Sequence, residues 1–172
     1  MALEIRTAAE LIDREVEARW TTRRAARETD VLQAVIRAFV QRPGPVTVEQ
    51  IVAAFPDRPP DSLRADLRKL DAEDLIQIQD GLVDVAYPFS AFPTPFVVEL
   101  ADGEARYACC AIDALGIAPM LGQRVHIRSR CHQCGELLEL WVDDIGSGLE
   151  AETAMVWVGK QGEGDRRASN SL

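Results

Sequence analysis

Apolar residues recur at helical spacing through the first half of the chain and alternate at strand spacing through much of the second. Leu11, Ile12 and Val16, set among charges, predict a helix from Ala8 to about Glu28. Val31, Leu32, Val35, Ile36 and Phe39 form one stripe, predicting a second helix from Thr29 or Asp30 to Gln41 that Pro43-Gly44-Pro45 ends. Thr47 with Gln50 three residues on has the form of a capping box, opening a short helix through Ile51, Val52 and Ala54. Pro59-Pro60-Asp61-Ser62 starts another helix, which carries Leu63, Leu67 and Leu70.

The period then shortens. Leu75-Ile76-Gln77-Ile78-Gln79 and Leu82-Val83-Asp84-Val85 form a hairpin about Asp80-Gly81. Pro88 to Pro95 suits an extended connector. Phe96 to Leu100 reads as a strand, Asp102-Gly103 as its turn and Ala105 to Ala108 as the return. A helix is predicted from about Cys109 to Leu121, followed by a strand over Val125 to Ser129 and a turn over Cys131 to Gly135. Leu137 to Val142 and Met155 to Val158 complete the strands, and Trp141 and Trp157 are expected to pack the core. The fold class is α+β. A three-helix winged-helix-like module (residues 1–86) precedes a mixed β-sheet domain with a buried helix carrying Cys110 and Asp113 (87–158), and a mobile polar tail follows (159–172).

Charge changes what the first module can do. The chain of 172 residues has a net charge of −9, with 15 acidic and 12 basic side chains in residues 1–80 and 13 and 7 thereafter. In a DNA reader of this order the third helix would enter the major groove. Here residues 61–74 set Arg64, Arg68 and Lys69 against Asp61, Asp66, Asp71, Glu73 and Asp74. That balance opposes binding to phosphates and favours packing, with a homodimer as one outcome; nucleic acid is not an expected partner. No apolar run reaches the ~18 residues of a membrane span, and the N-terminus lacks the pattern of a signal peptide. A cytoplasmic protein is expected.

All four cysteines, Cys109, Cys110, Cys131 and Cys134, lie within 26 residues, which points to metal or thiol chemistry before a disulfide framework. Cys110 stands near a predicted helix start, where backbone N–H groups and the helix dipole favour a thiolate. Asp113, three residues on, shares its face and opposes that effect through charge repulsion. Such a pair can hold one proton between them until the sulfur meets a soft cation. The plainer alternative makes Cys109 and Cys110 core residues. Cys131-His132-Gln133-Cys134-Gly135 has zinc-knuckle spacing, but four ligands would have to be found among it, Cys109, Cys110, His126 and His132. A reduced pair in a surface turn is the alternative, and His126 is expected to face solvent or to pack.

The stretch from Tyr87 to Thr94, and above all Tyr107-Ala108-Cys109-Cys110-Ala111-Ile112-Asp113-Ala114-Leu115-Gly116 on to Gly122, resembles the core of the alkylmercury lyase family. The resemblance runs from the helical module to about Val158. It implies a mercury-binding role for Cys110 and proton transfer by Asp113, and cleavage of a small organomercurial to a hydrocarbon and thiolate-held Hg(II). Small cellular thiols would be partners, and the reaction would need no cofactor. Cys131 matches a family cysteine regarded as structural. The family's second mercury-binding cysteine is expected beyond the region matching Met155 to Val158, and no cysteine follows Cys134. On this reading Cys109, Cys131 or Cys134 would supply the second thiol. Rival expectations are a non-catalytic thiol protein holding Hg, Cu or Zn, a relative turned to another small-molecule reaction and, last, a transcriptional regulator.

Overall fold

The computed structural model describes residues 29–146 together with Thr21, Gly148, Met155 and Val156. Apart from Thr21, which is helical, the helix expected over residues 8–28, the strand positions Trp157 and Val158, and the 159–172 tail fall outside the described residues. Met155 and Val156 belong to no strand.

Helix α1, Asp30–Gln41, starts where the Thr29 hydroxyl accepts the Leu32 N–H at 3.2 Å, and its expected stripe buries Val31, Leu32, Val35 and Phe39. Strand β1, Val46–Thr47, runs directly into α2, Val48–Ala53, through the capping box that Thr47 and Gln50 predict. Helix α3, Pro60–Ala72, opens on proline and buries Leu63, Leu67 and Leu70. Each fully buried leucine contributes about 1.5–3 kcal/mol, so this face holds the helices together. Cations here are taken up locally: Arg64 pairs with Glu49 and Asp61, and Arg58 with Asp30 and Asp66.

The strands are β2 (Ile76–Gln79), β3 (Leu82–Ala86), β4 (Phe89–Ser90), β5 (Val97–Glu99), β6 (Ala105–Ala108), β7 (Val125–Arg130) and β8 (Leu137–Val142). With β1 they form one sheet in the order β1-β3-β4-β6-β5-β7-β8, and β2 also pairs with β3. Every pairing is antiparallel, so the sheet is not mixed in direction. The helix α4, Ala111–Leu121, does join two strands of the same direction, β6 and β7, but β5 lies between them. The supposed connector of residues 88–95 contributes β4, whose Phe89 pairs with Ala108 and Ser90 with Tyr107.

Directly paired residues share a face of the sheet. Arg106, Val98 and Ile127 form one such row, and all three are buried. Arg106 extends from this face to the end of α1, its Nε donating to the carbonyl oxygens of Phe39 at 2.9 Å and Val40 at 3.0 Å. A guanidinium thereby satisfies terminal helix carbonyls, where α1 has no basic residue in its own last turn. The next row, Ala105, Glu99, His126 and Trp141, looks the other way. Trp141 is therefore 41% exposed rather than a core residue. His126 stacks on it with ring centroids 4.5 Å apart, and the Arg124 guanidinium lies 4.5 Å from its ring centroid.

Candidate active site

The turn from β6 into α4 is held from three earlier points of the chain. The Thr94 hydroxyl donates to the Ala108 carbonyl at 2.7 Å and accepts the Phe96 N–H at 3.2 Å. The Cys109 N–H donates to the Pro88 carbonyl at 3.0 Å, and the Ala108 N–H to the Phe96 carbonyl at 2.9 Å. Cys110 leaves this clamp in an extended conformation and becomes the N-cap of α4. The helix thus begins at Ala111, two residues later than the apolar pattern suggests. At its far end Gly122 adopts a left-handed conformation, φ 63°, that a side chain would strain, and its N–H closes the last turn onto Ala118. Helix α4 packs on β6 and β7 through Ala114, Ile117 and Ala118, leaving Ile112 53% and Met120 42% exposed.

As N-cap, Cys110 places its sulfur where a serine oxygen more often stands. The Asp113 N–H donates to Sγ at 3.5 Å, and the Cys110 thiol in turn donates to the Asp113 carboxylate. The pair meets as the spacing implies, but the thiol moves opposite to the dipole's pull. Burial first, then the Asp113 carboxylate as acceptor and charge, push Cys110 up to about 11 against the lowering by the backbone N–H groups of Asp113 and Ile112. The resting thiol is protonated, with its proton directed at a carboxylate.

Cys109 is buried at 3% exposure, and burial followed by the charges of Asp113 and Cys110 drives its thiol strongly upward. Cys131 and Cys134 stand apart, in the turn between β7 and β8. Tyr107, Val97 and Arg128 share a row, and β6 and β7 run the same way. Cys110 and Cys131, each three residues past that row, therefore lie at the same end of the sheet. The strand spacing of ~4.8 Å puts β6 and β7 roughly 10 Å apart across β5. Among the described residues no three or more His, Cys, Asp or Glu side chains gather as a metal would require. That argues against the four-ligand zinc site, and His126 is engaged with Trp141 and, at 3.8 Å, with Glu99.

Sequence reasoning missed Thr94 as the clamp and Arg106 as the link to α1; both act over separations that local pattern does not encode. A groove of about 450 Å³ between α1 and α2, bordered by Arg37, Ala38, Ile51 and Phe55, includes none of the cysteines. Among the described residues no helix is long and apolar enough to cross a membrane.

The family model described as MerB, alkylmercury lyase, matches residues 89–172. Alkylmercury lyases of Staphylococcus epidermidis and Streptomyces lividans are 37% and 36% identical to the chain over 113 residues, 65% of this chain and 50% of each relative. That of Bacillus cereus is 31% identical over 112 residues, 64% of this chain and 49% of the relative. The chain thus spans about half the length of the curated relatives it matches. A solved structure described as the mercury-bound form of MerB2 superposes with a TM-score of 0.51 at 26% identity, covering 58% of this chain and 48% of that one.

Proposed function

We propose that the chain, matched over residues 89–172 by the alkylmercury lyase family model, is a member of that family and cleaves carbon–mercury bonds by protonolysis. The observation that carries the proposal is the Cys110–Asp113 pair, in which the protonated thiol is hydrogen-bonded to the carboxylate and the Asp113 N–H points at the sulfur. A free thiolate is not required beforehand. As the soft metal bonds to sulfur, the thiol proton passes to Asp113, and the organomercurial's other ligand leaves as an anion. The Asp113 acid then gives that proton to carbon. One carbon–mercury bond breaks, one carbon–hydrogen bond forms, and the metal remains Hg(II) on Cys110. The two-coordinate preference of Hg(II) is met by a small thiol from solution, which releases its proton to water as it bonds, since Cys131 and Cys134 lie two strands away. No resident cofactor takes part, and the raised Cys110 thiol stores the proton the chemistry consumes.

Incubation with a phenylmercury salt and excess small thiol, with benzene measured in the headspace, tests the reading. Release by the unaltered chain, lost in Cys110→Ser and in Asp113→Asn, is the expected result. Absence of benzene while Cys110 still reacts with an alkylating reagent would defeat it.

A further inference from the structure

The Cys131–Cys134 turn is built more tightly than an incidental surface turn needs to be. The Cys131 N–H donates to the Glu136 carbonyl at 2.8 Å, and the Gly135 N–H to the Cys131 carbonyl at 2.9 Å. Gly135 takes φ 74°, which a side chain would strain. Arg130 donates to the Gly135 carbonyl at 3.1 Å, which braces the turn and sets a positive charge beside it. Inside this frame the Cys131 sulfur faces the backbone N–H groups of Cys134 and Gln133 and the neighbouring Cys134 side chain. Cys134 is exposed, and its sulfur lies 3.7 Å from Glu136 Oε2, an acceptor for its proton.

Two sulfurs are thus preorganised at the surface, and no third ligand joins them among the described residues. Ligand number decides which metal such a site suits. Zinc takes four ligands in a structural site, whereas soft thiolates select Hg(II) and Cu(I), for which two sulfurs in line complete a shell. We infer that Cys131 and Cys134 form a second metal site, separate from Cys110, that takes a two-coordinate thiophilic ion, Hg(II) or Cu(I), and discriminates against zinc. On binding, two metal–sulfur bonds form and both thiol protons leave, that of Cys134 by way of Glu136 or water and that of Cys131 to water; no electrons move. The site shares one end of the sheet with Cys110, so, where the proposed cleavage holds, it offers an outlet for product Hg(II).

Titration of the full chain in a phosphine reductant with Hg(II), with Cu(I) and with Zn(II), each against a competing chelator, tests this by following thiolate-to-metal absorbance. The Cys109→Ala/Cys110→Ser variant should still bind one equivalent of Hg(II) or Cu(I). Further change of Cys131 and Cys134 to Ser should abolish that equivalent, and either single change should weaken it about a hundredfold or more, as expected when a chelating partner is lost. Zinc bound as tightly as the soft ions, or Hg(II) and Cu(I) uptake unaffected by loss of both cysteines, would overturn the inference. These readouts do not depend on cleavage at Cys110, so failure here and failure of the lyase reading are separable.

Discussion

Asp113→Asn should make Cys110 a better nucleophile at neutral pH while removing the protonolysis proposed for it. Asp113 acts on the sulfur in two opposed ways. Its backbone N–H lowers the thiol pKa, and its carboxylate, as hydrogen-bond acceptor and negative charge, raises it. Asparagine keeps the N–H and removes the charge. With Cys110 pushed up to about 11, roughly 0.1% of it is thiolate at pH 8, against about a quarter for a thiol of pKa 8.5. Each unit by which the substitution lowers the pKa raises the thiolate fraction about tenfold. The thiolate's intrinsic reactivity falls with a slope of about 0.5, so the net gain is about threefold per unit. The assay is the rate of Cys110 alkylation by iodoacetamide, a neutral reagent, from pH 6.5 to about 11.5, so that the range spans the Cys110 value of about 11. Peptide mass spectrometry must resolve the site, because Cys131 and Cys134 react as well. The variant's profile should have its midpoint at lower pH, a rate at pH 8 raised by about threefold or more, and no hydrocarbon release. An unchanged midpoint would refute the assignment of the carboxylate as the thiol's proton acceptor, and retained cleavage would refute its role as proton donor.

Thr94→Val removes the donor to Ala108 and the acceptor for Phe96. At about 1 kcal/mol for each hydrogen bond, urea denaturation should show a loss of about 2 kcal/mol. The alkylation profile of Cys110 should shift as its turn loosens, and Thr94→Ser should restore both. The buried thiols also predict alkaline instability. Folding raises the Cys109 and Cys110 pKa values, so above pH ~9 the unfolded chain loses thiol protons that the folded chain keeps. Stability contributed below that pH is then lost as pH rises, for Cys110 through its value of about 11. The melting temperature should fall between pH 9 and 10.5, and Cys109→Ala, which removes the more deeply buried thiol, should flatten that fall.

Local chemistry made parts of this structure readable from sequence alone. The α1 stripe, the Thr47–Gln50 box and the Asp80-Gly81 turn each depend on residues within one or two turns of each other, and they fold as their patterns predict. The Cys110–Asp113 pair was legible for the same reason. Its proton balance was not, because burial outweighs the helix N-terminus only once α4, Ala111–Leu121, lies on the sheet. Cysteine is also an uncommon N-cap, so the helix was expected to include Cys109. Trp141 misleads because Leu137–Val142 is apolar on both faces, and only packing distinguishes the buried face from the open one. Arg106, 67 residues from the Phe39 carbonyl it meets, carries no local signal for that contact.

The clamp on the cysteine turn bears on where the chain can be cut. The family match begins at residue 89, a natural place to start a shortened expression fragment. Such a fragment would omit Pro88, whose carbonyl receives the Cys109 N–H, and β3, the strand on which β4 pairs. It would also omit the α1 carbonyls to which Arg106 donates, leaving a buried guanidinium short of acceptors. The boundary visible by sequence likeness is therefore not a mechanical one: the reactive turn takes part of its scaffold from the other side of it.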